Sequence, residues 1–170
     1  MVNFEDNWRR KQEIEGRPIV DDIYRQVFGN NIEIIRFDKD ENMLLDIVYA
    51  IDVQIRLSNK QIIIGQEKFL SNKYASFATV TVEHYQNPVT LEYGDWFKLA
   101  CQFYFTGYFT EDKKGMNPWI LLNWLNVVTA TDNQEITWNK SNNMQDNAMA
   151  DFKYCKMNNF PDSCVLGRNV

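Results

Sequence analysis

The stretch AIDVQIRLSNKQIIIGQEKF, residues 50–69, decides which fold we expect of this chain. Two runs rich in Ile and Val flank a polar turn at residues 58–60, a pattern typical of two antiparallel strands joined by a hairpin. The second run ends in Gln66, Glu67 and Lys68, where a core strand would carry more apolar side chains. The hairpin therefore indicates a candidate site as well as a fold.

The register of this hairpin determines which polar side chains meet. With a three-residue turn at residues 58–60, counting along the ladder places Asp52 opposite Gln66, with their Cβ atoms about 5 Å apart. Lys68 then lies one step further on the same face, because alternate residues of a strand share a face. This register gathers an acid, an amide and an ammonium group.

A two-residue turn at Asn59 and Lys60 would give a different site. It would bring Glu67 opposite Asp52 and turn Lys68 away. Asn-Lys lacks the glycine that favours a two-residue turn, so we predict the three-residue version.

An acid, an amide and an ammonium group together suit phosphodiester hydrolysis. Carboxylate and amide oxygens bind hard cations such as Mg²⁺, and the metal lowers the pKa of bound water. A lysine can orient that water and stabilise charge on phosphorus. Asp52, Gln66 and Lys68 are therefore the candidate catalytic residues.

The remaining sequence predicts one α+β domain with a mixed central sheet flanked by helices. Its 170 residues, of which 45% are hydrophobic and 14% aromatic, suffice for a sizeable core. The expected elements are a helix on either side of Pro18 within residues 4–29, strands at 32–38 and 76–85, a helix near Asp95 that passes into an aromatic strand, a buried strand at 118–128, and one more strand at FKYCKM. We expect a core at about 19–128 and a C-terminal extension of unknown role at 129–170.

Composition excludes several classes of function. His84 is the single histidine, which argues against His-rich metal sites and most Ser-His or Cys-His catalysis. The three cysteines form no Cys-x-x-Cys pair, and no apolar run reaches the ~20 residues that cross a bilayer, so we expect a cytoplasmic protein without membrane contact. A net charge of −5 argues mildly against coating nucleic acid, although a metal site can admit a polyanion locally.

The stretch at residues 50–69 resembles the PD-(D/E)xK nuclease-like superfamily, especially its small, often phage-encoded members. The resemblance covers the element order of residues 19–128 and implies a restriction-endonuclease-like core of a helix, three strands, a helix and another strand. It implies that Asp52 is the family aspartate, that Gln66 occupies the (D/E) position and that Lys68 is the motif lysine. It also implies DNA as the partner and Mg²⁺ or Mn²⁺ as the cofactor.

The motif departs from the family pattern in two ways. No proline precedes Asp52, and Gln66 replaces an acid, which leaves the site one negative charge short. Glu83 on a later strand, or Asp21 or Asp22 on the first helix, could supply that charge. Asp46 is a rival metal ligand on the same face parity as Asp52. The candidate metal ligands are Asp52, Gln66, Glu67 and Glu83.

Two functions follow from this sequence. The first is a metal-dependent nuclease that hydrolyses DNA. The second is an inactive nuclease-fold protein that binds nucleic acid or a host protein. The oligomeric state stays open, a homodimer included.

Overall fold

The computed structural model describes residues 4–37, 49–145 and 148–170, and Asp46 lies outside these ranges. The described elements are α1 Phe4–Phe28, β1 Glu33–Arg36, β2 Val53–Arg56, β3 Ile62–Leu70, β4 Thr79–Asn87, β5 Glu92–Tyr93, β6 Phe103–Phe109, β7 Met116–Asn123, α2 Trp124–Asp132, β8 Asn139–Gln145, β9 Ala148–Lys156 and β10 Val165–Asn169. Neither described helix combines the length and apolarity needed to cross a membrane.

The strands form a large and a small sheet. The large sheet has the order β1-β2-β3-β6-β7-β10, and the small sheet has the order β5-β4-β9-β8. Within the large sheet β3 and β6 are parallel and the other neighbours are antiparallel. The small sheet is antiparallel throughout. The predicted α+β class with a mixed sheet is confirmed.

Two hydrophobic cores lie on the two faces of the large sheet. On one face, Val20, Ile23 and Tyr24 of α1 pack against residues of β2, β6 and β7. On the other face, Tyr104 and Tyr108 of β6 pack against the small sheet and α2. One face of β3 therefore lies towards α1, and the other lies towards the small sheet and α2.

The first helix is continuous rather than divided at Pro18. α1 runs through this proline, which lies inside the helix. It ends where the sequence predicts, because Gly29 adopts a φ of 98° and its N–H donates to the carbonyl of Arg25 at 3.0 Å. A left-handed residue at this position favours glycine.

The hairpin between β2 and β3 has the predicted three-residue turn. Val53 pairs with Gly65, and Leu57 N–H donates to the carbonyl of Gln61 at 2.8 Å. Lys60 closes the turn with a φ of 68°. The alternative two-residue turn is wrong, since it would shift the whole ladder by one residue.

The predicted helix near Asp95 is wrong, because only one 3₁₀ turn forms at Asp95–Phe97. After this turn the backbone N–H groups bond to distant residues instead of continuing a helix. Ala100 donates to the carbonyl of Tyr49 at 3.2 Å, and Gln102 donates to that of Ile64 at 2.8 Å. The connection from β3 to the parallel β6 therefore contains β4, β5 and this turn.

The predicted strand at 118–128 is wrong in its second half. β7 ends at Asn123, whose side chain accepts a hydrogen bond from Asn126 N–H at 3.2 Å and so caps the start of α2. A short apolar run does not distinguish a strand from a helix by periodicity, and the capping asparagine decides here.

The C-terminal residues contribute to both sheets. β8 and β9 extend the small sheet from β4, and β9 contains the predicted strand FKYCKM except for its last residue, Met157, which begins a 3₁₀ turn. β10 pairs with β7 at the edge of the large sheet. The described part of residues 129–170 is therefore built into the same two-sheet architecture as the hairpin.

Candidate functional site

Asp52 lies directly before β2 and is held against the backbone of β3. Extending the register of Val53 with Gly65 by one residue places Asp52 opposite Gln66. The N–H of Asp52 donates to the carbonyl of Gly65 at 3.0 Å, and its Oδ2 accepts from the N–H of Glu67 at 2.9 Å. The carboxylate is thus fixed beside the motif strand.

Gln66 lies on the face of β3 that meets the small sheet, next to Tyr104 of β6. Its Oε1 is buried and has no hydrogen-bond partner among the residues that the structure describes. Leaving a buried acceptor unpaired costs about 1–3 kcal/mol. This oxygen is therefore a suitable ligand for a cation.

Lys68 extends from the large sheet to the small sheet. Its Nζ donates to the carbonyl of Thr81 at 2.9 Å and lies 5.6 Å from the ring centroid of Phe152. The hydroxyl of Tyr104 donates to the same carbonyl at 3.1 Å. The ammonium group is therefore held in one place at the junction of the two sheets.

Glu67 points to the opposite face of β3, towards α1. Its carboxylate forms a bidentate ion pair with Arg36, with Nε–Oε2 at 2.8 Å and Nη2–Oε1 at 2.9 Å. The hydroxyl of Tyr24 donates to Oε1 at 3.0 Å. The structure therefore separates Glu67 from the side chains of Gln66 and Lys68.

This buried network shifts the pKa of two of its members. Burial and the charge of Glu67 raise the pKa of Tyr24 well above its ordinary value. Burial alone would lower the pKa of Arg36, but the hydrogen bonds to Glu67 and the negative charge of Glu67 raise this pKa overall. Tyr24 therefore stays a donor and Arg36 stays a cation.

The acids that the sequence offered as replacements for Gln66 lie in different places. Asp21 forms an ion pair with Arg36 at 2.7 Å, and Asp22 with Arg25 at 3.0 Å, both from α1. Glu83 lies on β4 directly opposite Phe152, the ring beneath the ammonium group of the motif lysine. Of these three acids, Glu83 is the one placed on the small-sheet side.

Within the described ranges, no group of three or more His, Cys, Asp or Glu side chains is arranged so that it could hold a metal ion. At the hairpin, the oxygen donors are the carboxylate of Asp52 and the amide of Gln66. The site is therefore poorer in negative charge than the family motif implies.

A second feature, which sequence reasoning missed, is a cleft between the 3₁₀ turn, α2 and the small sheet. Its volume is about 420 Å³. The lining residues are Trp96, Thr131, Gln134, Ile136, Thr137, Trp138, Lys140 and Lys153. β8 has the sequence NKSNNMQ, which lacks the apolar alternation that predicts a strand, so the pattern does not predict the approach of its lysine to β9.

Comparisons with protein-family models, with curated proteins and with solved structures found no match to this chain. The geometry of the described residues is therefore the basis for assigning a function.

Proposed function

We propose that this protein is a metal-dependent nuclease that hydrolyses DNA phosphodiester bonds at Asp52, Gln66 and Lys68. The register of the β2–β3 hairpin is the observation that supports this function most strongly. It sets the acid opposite the amide and places the lysine one step further along the same face of β3.

The donor set at this position fits a hard cation. Mg²⁺ and Mn²⁺ prefer oxygen ligands, and the buried Oε1 of Gln66 lacks a hydrogen-bond partner among the described residues. Asp52 supplies a carboxylate, and Glu83 is a further candidate oxygen donor beside Phe152. A bound cation would lower the pKa of water and neutralise charge on the phosphate.

Lys68 suits the role of a positioned cation. Because Thr81 and Phe152 hold its ammonium group, little side-chain freedom remains to be lost when a substrate binds. A fixed positive charge can stabilise the pentacoordinate phosphorus or orient the attacking water.

The second candidate is a protein of the same fold that binds a partner without cleaving it. Two observations favour it: Gln66 is neutral, and Glu67 is committed to Arg36 on the other face. In that case Lys68 joins the two sheets by donating a hydrogen bond to the carbonyl of Thr81 on β4. The two functions differ in whether this lysine acts on a substrate.

Cleavage of plasmid and single-stranded DNA with Mg²⁺ or Mn²⁺ tests the proposal. Lys68→Ala should reduce the rate about a hundredfold or more, since loss of one such group has that effect. Lys60→Ala, which removes an exposed lysine from the turn of the same hairpin, is the matched control and should cleave like wild type.

Stability must be measured in parallel, because Lys68→Ala also removes the bond to Thr81. Asp52→Asn keeps an acceptor for the N–H of Glu67 while removing the charge, and it should also be inactive. If the wild type cleaves DNA and a folded Lys68→Ala protein cleaves it equally fast, this site is not catalytic. A wild type that is inactive with both cations favours the binding protein.

A further inference from the structure

The cleft near α2 combines aromatic surface with concentrated positive charge. Trp96 and Trp138 line it together with Lys140 and Lys153, and no carboxylate of the described residues contributes to its lining. Its volume of about 420 Å³ lies within the ~300–1,000 Å³ that is usual for small-ligand sites. Tryptophan faces and lysine ammonium groups suit a ligand that carries both planar rings and negative charge.

The two lysines face each other across neighbouring strands. Lys140 of β8 pairs directly with Lys153 of β9, and like charges in that relation destabilise a sheet. Neither lysine forms an ion pair with another residue of the described ranges, in a chain whose net charge is −5. An anion between them would offset their repulsion.

One of these ammonium groups is already oriented by an aromatic ring. The Nζ of Lys153 lies 3.8 Å from the ring centroid of Trp96. Burial, and then the charge of Lys140, lower the pKa of Lys153. A bound anion would counteract the charge of Lys140 and so raise the pKa of Lys153. Binding of the anion and protonation of Lys153 therefore favour each other.

The tryptophan rings are held in place before any ligand arrives. The indole N–H of Trp138 donates to Thr131 Oγ1 at 3.0 Å, and its ring lies edge-on to Phe160 at 5.7 Å. Trp96 and Trp138 are 5.1 Å apart at 75°. Fixed rings lose little conformational entropy when a base stacks on them.

Aromatic surface continues beyond the cleft. Phe97 follows Trp96 in the 3₁₀ turn and lies 4.6 Å from Tyr93, and these two side chains are 46% and 59% exposed. His84 lies 5.0 Å from Phe97 and close enough to Lys153 and Lys140 for their charges to lower its pKa, after the larger effect of burial. Phe97 and Tyr93 therefore add exposed aromatic surface next to Trp96.

We propose that the cleft of Trp96, Trp138, Lys140 and Lys153 binds single-stranded DNA, with bases on the aromatic rings and phosphates at the lysines. The choice of DNA rests on the proposed function. Unpaired bases are required because a duplex hides the base faces that tryptophan would contact.

Binding of a fluorescein-labelled oligothymidylate in EDTA tests this site without cleavage. We expect saturable binding that quenches tryptophan fluorescence and weakens as salt rises, since phosphate contacts release counterions. An abasic oligomer with the same number of phosphates should bind at least about tenfold more weakly, because stacking is lost. Equal binding of the abasic oligomer, or no saturable binding by the wild type, would overturn the proposal.

Lysine variants separate this cleft from general surface charge. Lys140→Gln with Lys153→Gln should weaken binding about tenfold or more and make the salt dependence shallower. The control, Lys114→Gln with Lys156→Gln, makes the same charge change at two exposed positions and should bind like wild type. Equal weakening of both double variants, or wild-type affinity of the cleft variant, would rule the site out.

Failure of the proposed DNA-binding cleft can be distinguished from failure of the proposed nuclease activity. Binding is measured in EDTA, where no metal-dependent cleavage takes place, so affinity and cleavage are read separately. Binding without cleavage in Mn²⁺ would overturn the nuclease and leave the cleft in place. Cleavage with unchanged kinetics in the folded Lys140→Gln, Lys153→Gln protein, together with unaltered binding, would overturn the cleft alone.

Discussion

Arg36 and Glu67 form a bidentate ion pair between β1 and β3, with nitrogen–oxygen distances of 2.8 and 2.9 Å. Their side chains are 10% and 5% exposed. Removal of one partner of such a pair leaves a buried charge and costs about 3–5 kcal/mol. We therefore expect Glu67→Ala to lower the free energy of unfolding by an amount near the lower end of that range, since Asp21 still faces Arg36.

An exposed ion pair in the same sheet is the control for this prediction. Arg56 and Glu33 lie 2.7 Å apart with side chains 48% and 55% exposed. Glu33→Ala should cost less than about 1 kcal/mol, because solvent screens the pair. Urea unfolding of both variants gives the comparison, and similar losses would contradict a buried role for Glu67.

Tyr24 makes the stability of the fold depend on pH in the alkaline range. Burial and Glu67 raise its pKa in the folded protein above the ordinary value of 10.0, so the folded state holds the proton more tightly than the unfolded chain. The stabilisation is complete below about pH 10 and is lost as pH rises further, because only the unfolded chain then releases the proton.

We expect Tyr24→Phe to lose less stability than the wild type between about pH 9 and 11. Denaturant unfolding across that range measures the difference. Tyr74→Phe, at an exposed tyrosine, is the control. Parallel curves for the wild type and Tyr24→Phe would contradict the prediction.

The three cysteines should be unreactive in the folded protein. All three are buried, and burial raises the pKa of Cys101 to about 12 and that of Cys155 to about 11. With a pKa of about 12, roughly one thiol in ten thousand is ionised at pH 8. A thiol-specific chromogenic reagent should titrate none of them natively and all three in denaturant. Rapid reaction of one thiol in the folded protein would contradict this.

The sequence predicts the hairpin well because its determinants are local. The turn at residues 58–60 and the period-two pattern on either side are enough to set the pairing of Val53 with Gly65. The prediction of a strand through the start of α2 was wrong even though the determinant of this helix start is also local. That determinant is the capping side chain of Asn123, but an apolar run on both sides of it conceals the change of element.

The environment of the motif could not be predicted, because it depends on distant residues. Glu67 finds Arg36 and Tyr24, which lie 31 and 43 residues away in the chain. Lys68 contacts the carbonyl of Thr81 because β4 packs on the face of the large sheet to which Lys68 points. The alternation of side chains along β3 indicates which face each one occupies. The residues that each side chain contacts on that face depend on the tertiary packing.

The substitution Gln66→Glu tests whether the unpaired amide oxygen marks a metal ligand. It preserves the size of the side chain and restores the negative charge that the family motif implies, so Mn²⁺ should bind more tightly to the variant than to the wild type. Cleavage should be kept or increased, because the cation would be retained at the site. Isothermal titration of Mn²⁺ measures the first effect directly.

Gln61→Glu makes the same change of charge in the exposed part of the hairpin and is the matched control. It should leave Mn²⁺ affinity unchanged, because an isolated exposed carboxylate forms no cation site. Asp52→Asn in the Gln66→Glu background should remove the gain, since both side chains are proposed to hold one ion across the β2–β3 ladder. Equal Mn²⁺ affinity of the two glutamate variants, or a gain that survives Asp52→Asn, would show that Gln66 does not belong to a metal site with Asp52.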